Sequence, residues 1–198
     1  LTSAELNNAN LLRANLTGAN LTSTYLLSAN LHSANLTGTN LTSSYLRGVR
    51  ISNADLTGVD LKGLDLEGAT LNEGSWKGLN LEGTNLRNAN LSYTNFEGAN
   101  LSNTNLAGAD LRGTKLSYAN LEYADLARAN LSGAYLSYAN LRGANLSDAD
   151  LTRAKLQGAD LHHANLYSAN LRGANLFGAD LTDANLSGAT MPDGSIHD

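Results

Sequence analysis

Leucine returns at every fifth residue of this chain, and no insertion breaks the register. From Leu1 to Ile196 the positions 1, 6, 11 and onward number 40, and 35 of them are Leu; the exceptions are Ile51, Trp76, Phe96, Met191 and Ile196. Two residues before each of these stands Ala in most repeats, with Thr, Ser, Gly, Val or Leu as substitutes, and Asn or Asp dominates immediately before it. The unit reads A-N/D-L-x-x. A period of five fits neither the roughly 3.6 of a helix nor the alternation of a strand, so neither element holds every Leu on one side. The chain must turn at each repeat, and the Gly, Asn, Asp and Ser beside each Leu supply the turn chemistry.

A closed coil of such turns points its large and small apolar positions inward. Successive coils stack through backbone hydrogen bonds at about 4.8 Å. Charges set the number of repeats per coil, because residues one coil apart are neighbours and like charges there are unfavourable. At a separation of 20 there are six opposite pairs (Arg47/Glu67, Glu67/Arg87, Lys62/Glu82, Lys77/Glu97, Glu122/Arg142 and Arg128/Asp148) and one like pair, Asp160/Asp180. At 15 the balance inverts to six like and two opposite, and at 25 it is five like and one opposite. Four repeats per coil follow. The expected fold is an all-β solenoid of square section, about ten coils and roughly 48 Å long. Its interior is filled, and each inner Leu is worth about 1.5–3 kcal/mol of burial.

Tandem A-N/D-L-x-x over essentially the whole chain resembles the pentapeptide-repeat proteins. The resemblance implies a right-handed quadrilateral β-helix with the central Leu or Phe and the small residue two before it both inside. Residues 1–190 are expected to form one solenoid, and residues 191–198, "MPDGSIHD", a capping tail. There Pro192 removes a backbone donor and Gly194 permits an unusual turn, while Met191 and Ile196 stay in register. The tail is similar to that of several cyanobacterial members. The chain starts mid-pattern, with nothing over Leu1 and Leu6. It therefore reads as the soluble repeat domain of a larger cyanobacterial protein. The resemblance implies a role in heterocyst glycolipid localisation or envelope assembly, and the uncovered first coil offers a route to end-to-end self-association.

Several classes of function fit poorly. Without cysteine there is no disulfide framework and no Cys-based metal or redox site, and the compartment stays open. No apolar run approaches the roughly 18 residues of a membrane span, and no signal-peptide pattern opens the sequence. No cofactor motif is present, and neither nucleic acid nor membrane insertion is expected of this segment. Some members of the family inhibit DNA topoisomerases as acidic duplex mimics, which makes that an alternative. A duplex of about 48 Å displays nearly thirty negative charges, whereas this chain carries 18 acidic and 13 basic residues, net −5, with the two signs interleaved. A metal-dependent or catalytic surface site near His163 is a second alternative. His163 lies one coil from Asp183, but two ligands fall short of the three or four that zinc sites assemble, so no metal site is assigned. The abundant Ser and Thr face outward with no converging base, so no catalytic residue is assigned either.

Two stretches depart from the regular pattern. Between residues 49 and 79, Val49, Val59, Leu64 and Leu79 occupy the small inner position and Ile51 and Trp76 the central one. Gly74 vacates space for Trp76, and Phe96 stands one coil on for aromatic contact, so the expectation is local volume adjustment without a pocket. Residues 116–140 hold four of the eight tyrosines. Folded at 20 residues per coil, Tyr118 and Tyr138 share one column and Tyr135 lies between Lys115 and Lys155 in another, both on one face. The wall alone gains about 0.5–1 kcal/mol per aromatic or cation–π contact there. Lys115, Tyr118, Tyr135, Tyr138 and Lys155 also form the candidate partner patch, since exposed aromatic and cationic side chains are what protein interfaces use. The leading functional reading is a non-enzymatic rod that binds a protein partner along its flat faces.

Overall fold

The computed structural model describes residues 1–198. It contains no helix, and therefore none long and apolar enough to cross a membrane. The chain forms a four-sided parallel solenoid in which the residue before the central Leu pairs with its counterpart 20 residues on, from Glu5 with Tyr25 to Asn170 with Thr190, except at Asn40/Asp60, Asp55/Ser75 and Asp60/Asn80. We call the faces first to fourth, centred on the columns that begin at Leu1, Leu6, Leu11 and Leu16. The coils are numbered from residue 1 in steps of 20. Sequence at 20-residue spacing thus becomes contact on a wall, and ion pairs expected from the charge count form: Arg47–Glu67 at 2.8 Å, Lys62–Glu82 at 3.0 Å, Lys77–Glu97 at 3.2 Å and Arg128–Asp148 at 3.9 Å. Glu67 is taken by Arg47 and Glu122 meets no cation, so the remaining two expected pairs do not form.

Local chemistry explains each position of the repeat. The two residues after the central Leu make the corner, and the second of them is left-handed at every repeat from Ser3 to Gly188, with φ between 55° and 71°. That conformation favours Gly, which occupies 17 of these positions. The Asn or Asp before the Leu accepts the N–H of the first corner residue, as Asn95 does from Glu97 at 3.0 Å. Where that corner residue is Thr, its hydroxyl in most cases donates to the same oxygen, as Thr17 does to Asn15 at 2.6 Å. The N-L-T triplets are therefore small hydrogen-bonded corners. The remaining amide group reaches the next column member: Asn100, Asn120 and Asn140 each donate to the Asn one coil back, building an amide ladder from Asn80 along the first face.

Inside, the central residue and the small residue two before it are both buried through coils two to eight, apart from the half-buried Leu79, forming one continuous apolar core. Where that small residue is Thr, burying a hydroxyl calls for a partner. Thr24, Thr39, Thr84, Thr94 and Thr104 each donate to the carbonyl of the central residue 23 positions earlier, at 2.8–3.0 Å. These five hydroxyls reinforce the stacking of coil on coil, whereas that of Thr114 donates within its own coil, to Leu111 O at 2.7 Å.

The irregular stretch changes the wall as well as the core. Trp76 packs edge-on against Phe96 with ring centroids 5.6 Å apart, and a Cβ on Gly74 would stand 2.8 Å from the indole nitrogen. Both contacts agree with the sequence reading. The expectation of no opening does not hold. No backbone hydrogen bond joins residues 55–58 to 75–78, and the N–H groups of Leu41, Leu56 and Leu61 find no carbonyl in the following coil. A crevice of about 260 Å³ lies there on the fourth face, lined by Leu56, Gly58, Trp76 and Leu79 among others. Branched side chains at positions that hold Ala elsewhere overfill the section, and a packed interior answers by separating its walls.

At the far end the tail leaves the register. Ile196 forms an antiparallel bridge with Thr190 and is 61% exposed, rather than filling the fourth face of coil ten. Met191 donates to Ser195 at 2.7 Å, and His197 exchanges bonds with Ala189 and Gly188 at 2.9 and 2.7 Å. The turn at Pro192–Gly194 reverses the chain after the third face, so the fifth-residue pattern persists in sequence without its structural meaning.

Candidate interaction surface and imidazole cluster

The five patch residues all stand on the fourth face of coils six to eight. Lys115, Tyr135 and Lys155 are bridged one to the next in a single column. Tyr118 and Tyr138 occupy the corner column of the same face, with rings stacked at 5.4 Å and 9°. Tyr118, Tyr135 and Tyr138 are 63%, 50% and 59% exposed. The Tyr138 ring lies flat over the next coil, where a Cβ on Gly158 would come within 2.6 Å of it. Left-handed backbone at Tyr138 aims the ring along the rod, and glycine one coil on leaves it room. The aromatic contact expected from sequence is present; no cation–π contact accompanies it.

Charge separates this face from the others. Of the four lysines, Lys62 and Lys77 are paired with the acid one coil on. Lys115 and Lys155 meet no acid, because their column neighbours are Asn95, Tyr135 and Asn175. The other aromatic stack, Tyr25 on Tyr45 at 4.5 Å, lies on the second face in a column flanked by Glu5 and Asp65. Only the fourth-face column therefore combines tyrosine with unpaired lysine.

The surface extends further than the sequence reading placed it. A shallow depression of about 550 Å³ runs over the edge between the third and fourth faces, lined by Tyr93, Arg112, Lys115 and Tyr135 with small residues between them. Tyr93 and Arg112 sit at corners of the third face, adjoining the fourth. Assigning each residue to one face hides such neighbours; counting corner residues with both faces finds them. Arg112 also holds Asp110 at 2.6 Å and keeps that carboxyl below its ordinary value through the hydrogen bond and its charge. A polar groove of similar size, about 530 Å³, follows the third face near His32, Arg50 and Glu73 but contains no aromatic side chain other than imidazole.

The histidines hold a second surprise. His163 stands 3.8 Å from Asp183, as the shared column requires. His162, passed over in the sequence because it belongs to the preceding column, has its ring 3.9 Å from that of His163 at a tilt of 44°. Ligand atoms of His162, His163 and Asp183 all lie within 4.8 Å of one another. The left-handed turn at His163 folds two consecutive side chains onto one corner.

Comparison with known proteins agrees with this architecture. The family model for pentapeptide repeats matches eight copies, over residues 1–26, 26–63, 65–103, 94–133, 129–166 and 154–192. No curated protein matches the sequence. Among solved structures, HetL, a pentapeptide repeat protein involved in heterocyst differentiation regulation from the cyanobacterium Nostoc sp. strain PCC 7120, is 40% identical over 95% of this chain and 91% of its own, with a TM-score of 0.50. The Nostoc protein alr5209 is 52% identical over 43% of this chain and 62% of its own, with a TM-score of 0.20. QnrB1, a plasmid-mediated fluoroquinolone resistance protein, is 22% identical over 90% of this chain and 91% of its own, with a TM-score of 0.48. The chain belongs to the pentapeptide-repeat family and folds as its right-handed quadrilateral β-helix.

Proposed function

We propose that this chain is a non-enzymatic interaction module, a stiff rod that binds a protein partner through the fourth face of coils six to eight. The observation behind this reading is the column Lys115–Tyr135–Lys155 beside the exposed Tyr118–Tyr138 stack, with both lysines free of acidic neighbours. Exposed rings supply apolar area at low entropic cost, and unpaired cations select an acidic partner surface. Arg112 and Tyr93 border the same surface through the adjoining depression. Likeness to HetL supports a cyanobacterial role in heterocyst regulation. The glycolipid and envelope roles implied by the sequence resemblance would use the same surface.

Affinity capture from a cyanobacterial extract tests the reading, with the rod as bait. Lys115→Glu combined with Lys155→Glu, and separately Tyr118→Ala with Tyr138→Ala, should each lower recovery of the partner at least about tenfold. Tyr167→Ala, on the second face, should leave recovery unchanged. Melting should shift by no more than about 1 kcal/mol in the lysine pair, because surface substitutions rarely do more. Undiminished capture by both fourth-face variants would leave these residues as wall.

A further inference from the structure

We propose that His162, His163 and Asp183 form a divalent transition-metal site that fastens coil nine to coil ten. Two imidazoles and one carboxylate are a donor set for zinc and its neighbours in the first transition series. In this chain they come from three corner positions, two consecutive residues of coil nine and one of coil ten, with all ligand atoms within 4.8 Å of one another. Tetrahedral coordination at metal–nitrogen bonds of about 2.0–2.1 Å needs ligand atoms about 3.3 Å apart. Exposed side chains cover that difference by rotating, as both His163 and Asp183 are more than half exposed. The backbone stays fixed: His163 N–H donates to Thr182 O at 3.0 Å, and His162 N–H donates to the Asp160 carboxylate at 2.9 Å.

A second observation points the same way. One like-charged pair stands at 20-residue spacing in this sequence, Asp160 over Asp180, and it lies beside this cluster. Every other charged pair at that spacing is of opposite sign. Two stacked carboxylates next to paired imidazoles make a corner that gains from an added cation, against one opposing charge, Arg142, in the column of His162. The site is convex, so water fills the remaining coordination positions and no substrate pocket adjoins it. Its effect is mechanical. Leu176, Leu181 and Leu186 at this end of the rod are only partly buried, and a metal bridging residues 162–163 to 183 holds that end closed.

Calorimetric titration of the full chain, prepared without a histidine tag, with zinc and with nickel at pH 7.5 tests the site. One metal per chain should bind, with a rise in melting temperature and slower amide exchange in residues 181–190. His162→Ala, His163→Ala and Asp183→Ala should each weaken binding at least about tenfold, since even losses outside the coordination sphere cost about 10–100-fold, and each should melt like the wild type without metal. Absence of binding at millimolar zinc would overturn the site. So would equal binding by a His162→Ala/His163→Ala variant, and binding without slower exchange in coil ten would overturn the fastening role.

Discussion

Leu106→Asp should yield no cooperatively folded rod. Leu106 is fully buried on the second face of coil six, in the middle of the stack. A carboxylate there finds neither water nor a cation, and burying an unpaired charge costs far more than the whole margin of a domain, about 5–15 kcal/mol. In an ordinary core a local rearrangement can expose the offending group. In a solenoid each coil is stabilised only by the coils on either side. Opening coil six to water exposes the inner faces of coils five and seven together. Leu106→Ala, which removes volume but adds no charge, should instead cost about 2–5 kcal/mol and leave the rod folded. Circular dichroism during heating separates the two: a lowered but sharp transition for Ala, and none for Asp. A soluble Leu106→Asp variant with a cooperative melt would contradict the filled interior.

Trp76→Ala should cost about 3–5 kcal/mol, whereas Trp76→Phe should change stability by no more than about 1 kcal/mol. Trp76 is 3% exposed and packs against Phe96, so truncation leaves a cavity in a section whose wall bonds are already missing. The indole N–H has no hydrogen-bond partner. Removing an orphaned donor recovers desolvation energy that offsets the smaller ring. Urea denaturation of the two variants checks this, with equal losses for Phe and Ala as the outcome that contradicts it. The same reasoning makes coils three and four the weakest joint of the rod. Wall bonds between residues 55–58 and 75–78 are absent while coils six to nine keep theirs.

Period-five leucine, with opposite charges at a spacing of 20 residues, makes the coil legible in the sequence. Both signals arise from the covalent chain and from wall contacts repeated along most of the rod, so single exceptions do not erase them. The column placing Tyr135 between Lys115 and Lys155 was legible for the same reason. What escaped depends on corners and ends. His162 belongs to one column and His163 to the next, so column counting separates rings that the left-handed turn brings to 3.9 Å. Tyr93 joins Lys115 and Tyr135 only around an edge. The crevice near Trp76 reflects summed volume across four faces, which no single column reveals. Ile196 obeys the period but lies beyond the Pro192 turn, where chain direction has already reversed.

Patch and metal site alike require that residues 20 apart be wall neighbours. The chain has no cysteine, so a disulfide can report that distance directly. Adjacent strands stand about 4.8 Å apart, within the roughly 4.4–6.8 Å between Cα atoms that a disulfide spans. Ala107→Cys with Ala127→Cys should therefore oxidise to an intramolecular bond found by peptide mass mapping. Ala107→Cys with Ser132→Cys, at a spacing of 25, should remain reduced in the monomer. Efficient bonding of the second pair and not the first would contradict the 20-residue coil, and with it the assignment of every surface described above.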